Sequence, residues 1–323
     1  MSNLDKKNSL IIGTRQSELA LVQTYQVVEL LKKFNKELNI EVKRISTIGD
    51  KILDKPLQAI GEKSLFTKEL EVCLLNGEVD IVVHSLKDVT TVLPDGTCLG
   101  AILKRENPCD VLVLANGKSG NLENLPEGSC IGTGSVRRVG QLKRLYPHLK
   151  FEGIRGNLNT RLSKLDDPNS PYDGIILAYA GLLRLNKVDR ISAHLNNIYH
   201  AVGQAAIGIQ CKVNDLKVLK LLKDLNHCNT LIMCTAERSF MRELEGGCSV
   251  PLGVNTSIVD KTLSLSGLVC SVDGQNLVKH ESHIEIDLNN LEESLEKAKE
   301  LGIDLSLKLI KLGVRDILDK VRD

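Results

Sequence analysis

The sequence lacks the marks of several large protein classes. Its 42 Lys and Arg are balanced by 41 Asp and Glu, a formal charge of +1, so the basic excess of a general nucleic-acid binder is missing. No apolar run approaches the length of a membrane span. The first nine residues are polar, with Asp5 and no Arg, and resemble neither a secretory signal nor a transit peptide. Nine cysteines are present, but no two are spaced as CxxC, which argues against the common zinc and redox motifs. Cys73, Cys130 and Cys211 sit inside apolar runs, where a free thiol behaves as a small hydrophobe. The expectation is a cytoplasmic protein in a reducing compartment, binding no metal, nucleic acid or membrane. There is no P-loop, no HExxH and no GxSxG elbow, and the Gly-x-Gly at Gly132 and Gly134 lacks the third glycine of a dinucleotide fingerprint.

What is present is a globular composition, 42% hydrophobic over 323 residues, long enough for two or three domains. Arginine is unevenly spread. Seven Arg and four Lys lie between Arg137 and Arg190, against seven Arg and 24 Lys elsewhere. Arginine is the side chain that clamps planar carboxylates and phosphates, so the middle of the chain is a candidate binder of an anionic small molecule, an exposed ion-pair surface being the alternative.

The periodicity predicts a strand at Ser9–Gly13, a helix from Leu19 to Phe34 and a second strand from Glu41 to Thr47, a β-α-β opening that implies a parallel sheet. Gly49–Glu62 reads as a mobile loop, Ser64–Asn76 as a helix, and Asp80–His84 as a buried strand. Ser129–Ser135 and Asp173–Ala178 repeat that grammar. The expected fold class is α/β, with two lobes of similar topology joined by a two-stranded hinge. Residues 1–108 with 203–225 form lobe 1, residues 109–202 form lobe 2, and residues 226–323 form a smaller α+β third domain. In that third domain strands Thr262–Ser271 and Asn276–Ile286 flank an Asp273-Gly274 turn, followed by helices Leu291–Leu301 and Leu305–Leu318.

Four stretches could carry chemistry. Ser135-Val136-Arg137-Arg138 places two cations in the first turn of a helix, against its positive end, an arrangement that makes sense where an anion arrives; long side chains bent into solvent would serve as well. Arg15 and Ser17 occupy the matching turn of lobe 1. His84-Ser85-Leu86-Lys87-Asp88 delivers polar groups at the carboxyl end of a buried strand, where parallel sheets hold ligands, with His84 itself a core histidine. Arg155 and Arg161 would converge only where the first precedes a helix and the second lies within it. Finally, Leu244-Glu245-Gly246-Gly247-Cys248 displays a thiol on a Gly-Gly loop past a helix end, equally readable as a plain helix stop.

Taken together and in order, these motifs resemble the porphobilinogen deaminase family. The resemblance rests on Ile12-Gly13-Thr14-Arg15-Gln16-Ser17, Gly61–Leu70, His84–Asp88, Arg137-Arg138, Arg155-Gly156-Asn157, Ala201-Val202-Gly203-Gln204 and the Cys248 loop. It implies three domains, the first two like periplasmic-binding-protein lobes, and a transferase. That enzyme joins four porphobilinogen units head to tail on a dipyrromethane cofactor, releases ammonia each time, and frees hydroxymethylbilane by hydrolysis. It implies a thioether from the cofactor to Cys248, with Asp88, Lys87 and Arg15 as the catalytic set. The cofactor would be held by Lys87, Asp88, Ser85, Thr133, Ser135, Arg137, Arg138, Arg155, Gly156, Arg161 and Arg184, and porphobilinogen by Arg15, Ser17, Gln23, Phe66 and Gln204. A monomer is implied. The chain departs from the family at Val89-Thr90, where Leu-Pro is usual, at Gly134, where a serine is usual, and at Ala205, where a glycine is usual. These departures imply altered loop mobility as a lesser expectation, with activity retained. The competing readings are a non-catalytic two-lobed anion-binding protein and an inactive family member.

Overall fold

The computed structural model describes residues 9–51, 65–244 and 250–322. It is a mixed α/β structure built on three sheets. Within the described residues the chain divides into two compact units, changing from one to the other at 106/107, 204/205 and 231/232.

The first unit holds a five-stranded sheet in the order β2-β1-β3-β10-β4. Strands β1 (Ser9–Arg15), β2 (Asn39–Ile45) and β3 (Ile81–Ser85) run parallel. Strand β10 (Ile207–Lys212) is antiparallel both to β3 and to β4 (Thr97–Ile102). The parallel pairing expected from the β-α-β opening is present in β1, β2 and β3, and β10 makes the sheet as a whole a mixed one. The helix Glu18–Phe34 begins at Ser17, whose hydroxyl accepts from the Ala20 N–H, and buries Val27 and Leu31. These pack with Leu10, Ile12, Val83 and Ile209 on one sheet face. The helix Lys68–Leu75 covers the other face with Leu70 and Leu74 against Ile45, Val79 and Val82. Of the expected loop at 49–62, Ile48–Lys51 forms one helical turn, and residues 52–62 lie outside the described residues.

The second unit repeats the strand order. Its sheet runs β7-β6-β8-β5-β9, with β6 (Cys130–Gly132), β7 (Lys150–Glu152) and β8 (Gly174–Ala178) parallel. Strand β5 (Asp110–Leu114) pairs antiparallel with β8 and with β9 (Ala193–Leu195). In each sheet the earliest parallel strand lies between the other two parallel strands, and the antiparallel strand beside this group follows a change of unit.

The same unit contains an antiparallel sheet of β11 (Leu252–Val259), β12 (Thr262–Cys270) and β13 (Leu277–Glu285). Helices Leu291–Lys311 and Val314–Arg322, with the helix Cys228–Glu243 from Ile232 onward, complete it. The Phe240 ring is fully buried and lies over Gly267, where any side chain would come within 2.4 Å of it; burying a Phe ring is worth about 2–3 kcal/mol. The two helices expected at 291–301 and 305–318 are corrected. A single helix runs to Lys311, and the break falls at Gly313, which has φ of 88°. Gly302, just past the expected end of the first, is a packing residue, since its added Cβ would lie 2.4 Å from the Ala236 carbonyl oxygen. This layer also fixes the helix Val136–Leu145: Gly140 admits the Ser271 carbonyl, and Arg144 donates to the carbonyls of Gly274 and Gln275 at 3.3 and 3.2 Å.

Ala205, one of the departures from the family pattern, has φ of 70°. The left-handed region costs an L-residue about 1–2 kcal/mol, while glycine loses about 0.5–1 kcal/mol more backbone entropy on folding. Ala205→Gly is therefore expected to stabilise the protein by up to about 1 kcal/mol, read as a rise in the urea midpoint; a fall in that midpoint would contradict the strain argument.

Candidate active site

The sequence-derived residues gather at the carboxyl ends of parallel strands, separately in each unit. In the first, β1 ends in Arg15 and β3 ends in Ser85, followed by a 3-10 turn over Leu86–Asp88. Leu86 and Val89 are buried at 1% and 2% exposure, so the turn is anchored on both sides of the half-exposed Lys87 and Asp88. The Leu86 N–H also donates to the Ala206 carbonyl at 3.0 Å. Asp88 Oδ2 stands 3.7 Å from Arg15 Nη1, and the two side chains remain 27% and 21% exposed. The Arg15 guanidinium lies over the Phe66 ring, 4.3 Å from its centroid, a cation–π contact that holds the charge in place.

Ser85 donates to Gln23 Oε1 at 3.0 Å, and Gln23 is buried, so this pair links β3 to the first helix. Ser17 caps that helix. At the Val89-Thr90 departure, Val89 sits in the core and Thr90 Oγ1 donates to the Val92 carbonyl at 2.7 Å. A hydroxyl closes locally the segment that a proline would have stiffened.

His84 is a core residue, as expected. Its Nε2 and Gln210 Oε1 are 3.0 Å apart, and Gln210 Nε2 donates to Thr97 Oγ1 at 2.9 Å. Burial lowers the His84 pKa to about 4, with the Arg15 charge acting the same way and the Gln210 bond opposing. A folded-state pKa below the unfolded value near 6.5 means that the contribution is complete above pH 6.5 and is lost as pH falls toward 4. The loss is on the order of 3 kcal/mol. His84→Gln is expected to flatten the decline in stability between pH 6.5 and 4; unfolding by urea at pH 7 and pH 4.5 checks this, and an unchanged slope would refute it.

In the second unit, β6 leads to Thr133, Gly134 and Ser135 and then to the helix Val136–Leu145. Thr133 is buried and its Oγ1 accepts from the Ser135 N–H at 3.3 Å. The Ser135 hydroxyl makes no capping bond. A Cβ on Gly134 would stand 3.3 Å from the Ile154 carbonyl oxygen, so the residue missing a hydroxyl is also one with little room. β7 leads to Arg155 and Gly156 and then to the helix Leu158–Asp166, capped by Asn157. Arg155 thus precedes the helix and Arg161 lies inside it, the condition under which the two converge. Arg161 Nε donates to the Gly156 carbonyl at 2.8 Å, and Lys164 Nζ to that of Arg155 at 3.1 Å. Arg184 ends the helix after β8 and is half-buried.

Arg137 and Arg138 are buried at 4% and 5% exposure and already hold an anion, the carboxylate of Asp110. Arg137 Nη1 donates to Asp110 Oδ2, and Arg138 Nη2 to Oδ1, each at 2.7 Å. Burial pushes the Asp110 pKa up, but the two guanidiniums outweigh it and hold the carboxyl well below the usual range. Gln204 joins them, donating to Asp110 Oδ1 at 2.8 Å and to the Pro108 carbonyl at 2.6 Å. Sequence reasoning missed Asp110. The available signal was a lone acid heading the apolar run Val111–Leu114.

Cys248 lies outside the described residues. No cluster of metal-ligating side chains occurs among the described residues, and none of their helices is long and apolar enough to cross a membrane.

Two carboxylate-bearing pyrrole rings would require cationic and hydroxyl donors together with an acceptor for ring N–H groups. At the strand ends of the first sheet the structure offers Arg15, Lys87 and Asp88, and at those of the second, separately, Thr133, Ser135, Arg155, Arg161 and Arg184. Arg138 Nε is also buried without a hydrogen-bond partner among the described residues. The donor set fits the group.

A family model described as the porphobilinogen deaminase dipyromethane cofactor binding domain matches residues 10–220, and the C-terminal domain of the same family matches residues 231–311. The porphobilinogen deaminase of Nostoc sp. is 49% identical over 318 residues, covering 98% of this chain and 95% of its own. That of Dictyostelium discoideum is 44% identical over 330 residues, covering 99% of each. Among solved structures, the methionine-binding protein MetQ aligns with a TM-score of 0.44 at 11% identity, covering 68% of this chain and 89% of its own. With both family domains matched in order along almost its entire length, this chain belongs to the porphobilinogen deaminase family.

Proposed function

We propose that this chain joins four porphobilinogen units head to tail on a dipyrromethane carried by Cys248, with loss of one ammonia per unit, and releases hydroxymethylbilane by hydrolysis. The observation that carries the reading is the pairing of Arg15 with a half-exposed Asp88 at the carboxyl edge of the first sheet, on a chain that matches the cofactor-binding domain. When bound, dipyrromethane supplies the terminal pyrrole to which the first substrate unit is joined.

The protein's own groups then have separate tasks. Asp88 is the acid–base residue. It accepts pyrrole N–H bonds and places fixed negative charge beside the cation that develops as ammonia leaves. Arg15 orients that carboxylate and, with Lys87, binds the acetate or propionate of porphobilinogen. Phe66 holds the Arg15 guanidinium, and Ser17, Gln23 and Gln204 complete the substrate contacts. Ser85, Thr133, Ser135, Arg137, Arg138, Arg155, Gly156, Arg161 and Arg184 hold the cofactor carboxylates, and the same arginines pair those of the porphobilinogen units as they join the chain. The helix starts at Val136 and Leu158 add oriented N–H groups.

The proposal includes three domains, with lobe 1 at 1–108 and 203–225, lobe 2 at 109–202 and the third domain at 226–323. It also includes a monomeric, cytoplasmic enzyme; the number of free thiols supports the reducing compartment. Protein purified from a porphobilinogen-making host tests the function. Porphobilinogen consumption with one ammonia per unit is the expected result, and no consumption would overturn it.

A further inference from the structure

Asp110 lies at the first position of β5, immediately after the segment by which the chain enters the second unit. It is 1% exposed. Its two oxygens take three side-chain donors, Arg137 Nη1 on Oδ2, and Arg138 Nη2 and Gln204 Nε2 on Oδ1, at 2.7, 2.7 and 2.8 Å. Each donor has a further carbonyl partner. Arg137 Nη1 also donates to Tyr199 at 2.6 Å, Arg138 Nη1 donates to Ile176 at 2.7 Å, and Gln204 Nε2 also donates to Pro108 at 2.6 Å. Gln141 locks Tyr199 from the other side, accepting from its N–H at 2.7 Å and donating to its carbonyl at 3.1 Å.

One carboxylate therefore ties together the entering segment at Pro108, the leaving segment from Tyr199 to Gln204, and the first turn of the Val136–Leu145 helix. Consecutive helical residues point about 100° apart, so Arg137 and Arg138 would diverge without a shared acceptor. The cluster carries two cations and one anion, and Arg138 Nε has no partner among the described residues. Its remaining positive charge and donor capacity suit a ligand carboxylate, provided both guanidiniums are held still.

We propose that Asp110 is a positioning residue of the porphobilinogen-joining reaction: it aims the Arg137 and Arg138 guanidiniums at substrate carboxylates and fixes that aim to both segments through which the chain enters and leaves this unit. The inference rests on the enzymatic reading above and adds a residue that binds no ligand itself. Misaimed guanidiniums bind the substrate carboxylate less well in the ground state and the transition state alike, so the effect is expected mainly in KM.

The test uses the purified holoenzyme, with kcat, KM for porphobilinogen and thermal midpoint measured for each variant. Asp110→Glu keeps the charge but displaces it, and raises KM about tenfold with kcat changed less than about threefold. Asp110→Asn removes the charge and raises KM further. Because Asp110 acts through the arginines, Arg137→Gln/Arg138→Gln and the triple variant that adds Asp110→Asn share one KM within about twofold. The triple variant leaves no buried charge unpaired in the cluster, whereas Asp110→Asn and the arginine double variant each do, so Asp110→Glu decides the matter where either of those fails to fold. An unchanged KM in folded Asp110→Glu, or a triple variant whose KM is several-fold above that of the double, overturns the inference. An active parent with unaffected variants removes only this role for Asp110, whereas a parent that consumes no porphobilinogen removes the enzymatic reading and this inference with it.

Discussion

Asp88→Asn is expected to lower kcat for porphobilinogen consumption by about 10²–10³-fold while leaving the thermal midpoint nearly unchanged. The substitution keeps the size of the side chain and one oxygen acceptor. It removes the negative charge and the ability to carry a proton. The structure separates those losses from folding. The Arg15–Asp88 pair is 3.7 Å apart and about a quarter exposed, and exposed pairs of this kind contribute about 0–1 kcal/mol. The turn is held instead by Leu86 and Val89, both buried, and by the Leu86 N–H on the Ala206 carbonyl. Asp88→Glu, which keeps the charge but shifts it by one methylene, should fall between the parent and Asp88→Asn. An Asn variant retaining more than about a tenth of the parent kcat would place the charge-stabilising group elsewhere.

The same experiment separates the enzyme from its rivals. A two-lobed anion-binding protein needs cations at its sheet edges, and Arg15, Arg155 and Arg161 would satisfy it, but it has no use for a carboxylate facing the ligand. Removing Asp88 would then leave anion affinity equal or higher. An inactive family member would show no turnover to lose. The departures that raised that possibility are accommodated locally, by the Thr90 hydroxyl on the Val92 carbonyl and by the lack of room beside Gly134.

The β-α-β opening and the helix Glu18–Phe34 were legible in the sequence because their periodicity is local, and β3 because a helical pattern leads directly into its apolar run. Strands β5 and β10 were not. Both are buried along almost their whole length, so neither shows the alternation of a half-exposed strand, and β10 pairs with a strand more than a hundred residues earlier. The site divides the same way. Arg15, Lys87, Asp88, Arg155 and Arg161 belong to short motifs at strand ends and could be read directly. Asp110 could not, because its partners Arg137, Arg138 and Gln204 are 27, 28 and 94 residues away. The oddity of two cations at a helix start was visible and was read as a place where an anion arrives; that the protein's own Asp110 carboxylate lies there required the fold.

Cys248→Ser is expected to yield protein of unmodified intact mass, with porphobilinogen consumption at least about 10³-fold below the parent, because the thiolate is the nucleophile that forms a thioether and a serine hydroxyl is far less acidic. The other cysteines offer poor substitutes. Burial pushes the thiols of Cys109, Cys130 and Cys270 up to about 11, and that of Cys211 up to about 12, so almost none of each is ionised at neutral pH. Cys228 is the exposed thiol among the described residues and is therefore the competitor to exclude. Cys228→Ser should keep both the two-pyrrole adduct and full activity, with peptide mapping placing the adduct on the peptide that contains Cys248. An adduct that persists in Cys248→Ser and disappears in Cys228→Ser would move the attachment point. An adduct that persists in both single variants would mean that either thiol can take the group or that it is bonded to a third residue, and the Cys228→Ser/Cys248→Ser double variant separates the two: the adduct is lost in the first case and kept in the second.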